Sequence, residues 1–191
     1  MKLNEIDYVL IGLLVLAVYS DITKRKIPNR ITMPAMLIGI IWSTINSGLN
    51  GFLFSTFGFA LGLAVFLLPY ISGGMGAGDV KLMAAIGALK GWRFALFSSF
   101  GTAIAGGFVV IIYMIYKGNL KNTFINVLGL VVKPIAKIVF SATGNSKSYK
   151  YVQYFEQHKL KNGNDYIPYA LAIALGSMIV LFVGIENLFS I

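Results

Sequence analysis

Two short polar stretches interrupt an otherwise apolar chain: Asp21-Ile22-Thr23-Lys24-Arg25-Lys26-Ile27-Pro28-Asn29 and Gly76-Ala77-Gly78-Asp79-Val80-Lys81. Each sets one aspartate at the edge of a hydrophobic run. Two carboxylates brought together at a membrane boundary can hydrolyse a peptide bond. The ionised one takes a proton from water, and the protonated one polarises the scissile carbonyl. Like charges a few ångströms apart resist joint ionisation, so such a pair shares a proton and titrates as a unit. Gly76 and Gly78 have no Cβ and would let an extended substrate backbone approach. Lys81 would favour a nearby ionised carboxylate or contact substrate. The chemistry requires that the elements bearing Asp21 and Asp79 pack together.

Those elements are apolar. Of 191 residues, 57% are hydrophobic and 12% charged, against ~25% charged in an ordinary soluble domain, and the mean hydropathy is +0.77. The composition is that of an all-α, polytopic membrane protein forming one domain over residues 1–191. The 21 glycines suit close helix–helix approach in lipid, which supplies no hydrophobic driving force between helices. With no cysteine and one histidine, His158, disulfides, thiolate nucleophiles and a thiolate zinc site are excluded. No metal or cofactor is expected. Glu5, Asp7 and the poor cleavage context at Tyr19-Ser20-Asp21 argue that the first apolar run is a retained helix, not a signal peptide.

Six hydrophobic segments are expected, at roughly 6–20, 31–46, 52–71, 80–90, 94–116 and 166–185, where a span needs about 20 residues. The fourth is short, as a helix in a thin region or a re-entrant one would be. Pro28 ends the first helix and Asn29 would cap the second. Residues 46–51 form an expected polar loop, residues 72–78 a glycine-rich one, and Asp165 with Pro168 would start the last helix. Between them, 117–165 forms a cytoplasmic insertion: an interfacial helix over 122–141, carrying Lys133, Pro134 and Lys137, then an exposed polar loop.

Placing 21–30, 72–81 and 117–165 in the cytoplasm puts every basic residue there except Lys2, Lys90 and Arg93, as the positive-inside rule prefers. Asp21 and Asp79 then share the cytoplasmic face. The net charge of +9 is accounted for by topology and anionic lipid, with no nucleic acid as partner.

Each candidate also has a bland reading. Asp79, between a glycine loop and a helix, could serve only as an N-cap. Asp21 could be a solvated carboxylate paired with Lys24 or Arg25. Lys24-Arg25-Lys26 could be an orientation signal alone. Asp165 reads as a cap and His158 as a solvated side chain. Glu5, Asp7 and Glu186 lie near the opposite face.

Taken together, the Asp21 motif ending in Ile27-Pro28-Asn29, the Gly76–Lys81 motif and Ile167-Pro168-Tyr169-Ala170-Leu171-Ala172-Ile173 resemble the type IV prepilin peptidases, GxGD-type membrane aspartic proteases. The three motifs fall in order across nearly the whole chain. The resemblance implies Asp21 and Asp79 as the catalytic pair, with Gly76, Gly78, Lys81, Pro28, Asn29, Pro168 and Tyr169 supporting or binding substrate. It implies removal of a short basic leader from type IV prepilin-like precursors at the cytoplasmic face of the cell membrane. Larger members carry cysteine pairs in an N-terminal region and also methylate the new N-terminus. This chain starts directly in a helix and has no cysteine, so peptidase action without methyl transfer is expected. Ala170 stands where many relatives have glycine.

Other classes make different predictions. An ion-coupled transporter would place the aspartates near the bilayer midplane. A non-catalytic assembly scaffold would tolerate Asp→Asn changes. A GxGD protease for other membrane peptides would keep the dyad and change the substrate.

Overall fold

The computed structural model describes residues 3–71, 73–117 and 169–184, with isolated helical positions 132, 135–136, 139–141, 150 and 153–154. All regular structure among these residues is helical: α1 (Glu5–Lys24), α2 (Asn29–Ile71), α3 (Ala77–Lys117) and α4 (Tyr169–Val183).

Helix α1 begins where the Asn4 amide donates to Asp7 Oδ2 at 2.8 Å, which satisfies an otherwise orphaned terminal N–H. It ends at Arg25, in the left-handed region (φ 52°, ψ 33°), whose N–H donates to the Asp21 carbonyl at 2.8 Å. That turn releases the chain into the Lys26–Pro28 connection. The next helix starts at Asn29 itself.

Helix α2 is a helical hairpin. Gly48 has φ 56° and ψ −137°, backbone that glycine alone adopts without penalty. Ser43 and Gly51 would lie ~12 Å apart along a straight helix, yet a Cβ on Gly51 would collide with the Ser43 carbonyl. The expected loop over 46–51 is therefore a reversal at a single glycine between helical legs. The expected segments 31–46 and 52–71 are those legs. In the same way, 80–90 and 94–116 are the two legs of α3, joined at Gly91 (φ 81°, ψ 179°).

The short leg before Gly91 forms the centre of the bundle. Leu82, Met83, Ala84, Ala85, Ile86 and Ala88 are all fully buried. Leu82, Met83, Ala85 and Ile86 pack with Leu10, Leu13 and Leu14 of α1 and Ile173 and Leu181 of α4 in one apolar core. Shortness, which suggested a helix in a thin region or a re-entrant one, suits a helix enclosed by other helices. Backbones meet at small residues: Gly58 against Gly87, Gly39 against Ala88, and Gly101 against Gly176. A Cβ at Gly39 would come within 2.6 Å of the Ala88 carbonyl. Ser55 Oγ also donates to the Ala88 carbonyl at 2.6 Å, joining α2 to α3 by a polar bond where no water competes.

Glu5–Lys24 and Asn29–Ile71 are each long and apolar enough to cross a membrane. Large side chains on their outer faces, among them Val15, Leu16, Ile41, Leu53 and Phe57, are exposed, as lipid-facing positions would be. The 117–165 insertion, with His158, Asp165 and the expected interfacial helix, lies outside the described residues apart from the isolated helical positions above.

Candidate active site

Asp21 sits in the last turn of α1, and Asp79 is the third residue of α3. Both are buried, at 5% and 7% exposure, which opposes the reading of Asp21 as a solvated surface carboxylate. Their side chains lie within electrostatic range of each other. The helices that carry them run antiparallel. At the other end of the same two helices, Lys90 Nζ contacts Asp7 Oδ1 at 2.9 Å.

Each carboxylate is held by backbone. Asp21 Oδ2 accepts the Ala170 N–H at 3.3 Å, in the first turn of α4, where unpaired N–H groups favour negative charge. Asp79 Oδ2 accepts the Gly76 N–H at 3.1 Å, and the Asp79 N–H donates to the Gly76 carbonyl at 3.1 Å. Asp79 is thus not the N-cap. It occupies the third helical position and reaches back to Gly76, the residue before the helix, as the acidic member of a capping box does. This contact serves the helix end and at the same time fixes the carboxylate.

The supporting residues fall around this pair. A Cβ on Gly76 would lie 3.2 Å from Asp79 Oδ2, so the missing side chain makes room for the carboxylate. A Cβ on Gly78 would lie 3.0 Å from Ile27 Cβ and 3.3 Å from the Ile27 amide nitrogen. The space beside that glycine is occupied by Ile27. Asn29 does not cap α2; it is the first helical residue, and its Oδ1 accepts from Lys81 Nζ at 2.9 Å. Tyr169, partly buried, lies within electrostatic range of Asp79. Pro168 lies outside the described residues. Sequence reasoning missed Ser20, a buried hydroxyl next to Asp21 that donates to the Lys26 carbonyl at 2.8 Å. It named Ala170 only as part of a motif and missed its N–H as a partner of Asp21, since a backbone donor leaves no mark in side-chain identity.

No group of three or more His, Cys, Asp or Glu residues able to hold a metal occurs among the described residues. An open cleft lined by Trp42, Asn46, Phe54 and Lys90 lies at the Asp7–Lys90 end, away from Asp21 and Asp79.

The model of the type IV leader peptidase family matches residues 8–111. The chain belongs to that family. The match takes in most of α1, all of α2 and most of α3, with both aspartates. A prepilin leader peptidase/N-methyltransferase from Legionella pneumophila is 31% identical over 121 residues, covering 60% of this chain and 42% of that protein. The chain thus spans less than half the length of this relative. No solved structure matches it. Type IV leader peptidases are membrane-embedded, in keeping with the two candidate spans.

Proposed function

We propose that the chain is a membrane aspartic endopeptidase that removes the short basic leader from type IV prepilin-like precursors at the cytoplasmic face of the cell membrane. The observation that carries this reading is the burial of Asp21 and Asp79 at one end of an antiparallel helix pair, within electrostatic range. Family membership supports the substrate class. Methyl transfer, which the name of the Legionella protein includes, is not part of this reading.

In the reaction, one aspartate is ionised and the other carries the shared proton. The ionised carboxylate takes a proton from water as the water oxygen bonds to the scissile carbonyl carbon. The protonated carboxyl donates to the carbonyl oxygen, where negative charge develops. Collapse of the tetrahedral intermediate breaks the C–N bond: one of its hydroxyls returns a proton to the ionised aspartate as the carbonyl re-forms, and the departing amine takes a proton from the protonated one. The scissile segment must be extended, because a helical one hides its peptide bonds in i→i−4 hydrogen bonding.

A transporter would hold its carboxylates near the bilayer midplane. Here Asp21 lies in a last turn and Asp79 in a first turn, which favours chemistry at a boundary. The test is incubation of the purified protein, in detergent or lipid, with a prepilin-like precursor from the same genome, alongside Asp21→Asn and Asp79→Asn. Cleavage by the native chain that is lost in both folded variants is expected. Equal cleavage by the variants would remove both aspartates from the chemistry.

A further inference from the structure

Ser20 Oγ, beside Asp21, donates to the Lys26 carbonyl at 2.8 Å and closes the start of the α1–α2 connection. Ile27, buried at 5% exposure, seats against Gly78, beside Asp79. Lys81 Nζ donates to Asn29 Oδ1 at 2.9 Å, joining residues 52 positions apart. The three contacts run in order along one short segment. They begin at the residue before Asp21 and end two residues after Asp79.

We propose that Asn29 and Lys81 form a positioning latch that holds the α1–α2 connection on the first turn of α3 and thereby sets the separation of Asp21 and Asp79. The proposal rests on the dyad reading above for its catalytic consequence, but its geometry stands without it. An ammonium has donors only, and the Asn29 carbonyl oxygen offers it a charge-assisted bond. The bond is exposed, so it adds little to global stability. Its leverage is geometric: it ties the connection that follows Asp21 to the helix that carries Asp79. Acid–base chemistry is sensitive to such placement, and a displacement of ~1 Å can cost ~100-fold in rate.

The native sequence has no cysteine, so Thr23→Cys and Ala77→Cys, both exposed, give two unique spin-label sites on either side of the latch. The full chain in lipid nanodiscs is expected to show a narrow distance distribution between them. Lys81→Met and Asn29→Leu should each broaden or shift it. Asn29→Asp, whose carboxylate can accept from the same ammonium, should keep it narrow. On a prepilin-like precursor the two disrupting variants should lose kcat on the order of ten-fold with KM changed less than about two-fold. An unchanged distribution in both disrupting variants would overturn the latch. So would a rise in KM confined to Lys81→Met, which would mark Lys81 as a substrate contact. If the single variants do not fold, the exchanged pair Asn29→Lys with Lys81→Asn decides: restored narrow distances support the latch, and broad distances in a folded chain overturn it. Should the distances change as expected while the native chain cleaves no precursor, the latch stands and the peptidase reading falls.

Discussion

Lys90 Nζ and Asp7 Oδ1 meet at 2.9 Å at one end of the bundle, and this ion pair sets the register of α1 against α3. Asp7 spends its other oxygen on the Asn4 amide that opens α1. From Asp7 to Asp21 is ~21 Å of helix, and from Asp79 to Lys90 ~17 Å. Pinning one end of an antiparallel pair therefore brings the two aspartates to within ~4 Å of one level at the other.

Removing one partner of this pair should be costly, because both side chains are largely shielded, at 12% and 4% exposure. Lys90→Met leaves the Asp7 carboxylate buried without its cation and should destabilise the fold by about 3 kcal/mol. Adding Asp7→Leu should recover part of that loss. Denaturant unfolding in detergent measures both, and additive losses in the double variant would argue against a coupled pair.

Gly58 and Gly87 place the second leg of α2 directly on the backbone of α3. Neither backbone can yield as a side chain would. Gly58→Ala should force the helices apart and cost about 2 kcal/mol. A Cβ on Gly12 would meet nothing within 4 Å, so Gly12→Ala serves as the control and should be neutral or slightly stabilising. Thermal unfolding of the two variants distinguishes them.

Gly78→Ala probes the site without touching a carboxylate. Its Cβ would press on Ile27 at 3.0 Å and displace the connection that follows Asp21. We expect a fall in kcat on the order of ten-fold with a stability change near ~1 kcal/mol. Wild-type kcat in the folded variant would show that the site absorbs the shift.

Cleavage should follow a bell-shaped pH profile. Below both macroscopic pKa values of the pair neither carboxylate can act as base, and above both neither can donate to the carbonyl. Measurement of kcat/KM against pH tests this. A rate rising steadily with pH would point to a single base and no acid partner.

The sequence by itself determined the class of protein and the two aspartates proposed to carry its chemistry. Too few charges for a soluble core, aspartates at the edges of apolar runs and glycines at chain reversals are local properties, each legible from residue type and neighbours. Asp21, Asp79 and their motifs stand where they were expected, at the ends of helices. Other assignments depended on partners distant in sequence. Asn29 read as a cap because it follows Pro28, but its oxygen is taken by Lys81 from 52 residues away. Gly78 read as space for substrate, but Ile27 fills that space. The 80–90 segment read as a thin-region or re-entrant helix, but it is the buried centre of the bundle. Only the tertiary structure decided these points, and it alone brought α4 to Asp21 and placed Asp7 on Lys90. Hydropathy records how much of a residue meets apolar surroundings; whether those surroundings are lipid or another helix is fixed only when the helices pack.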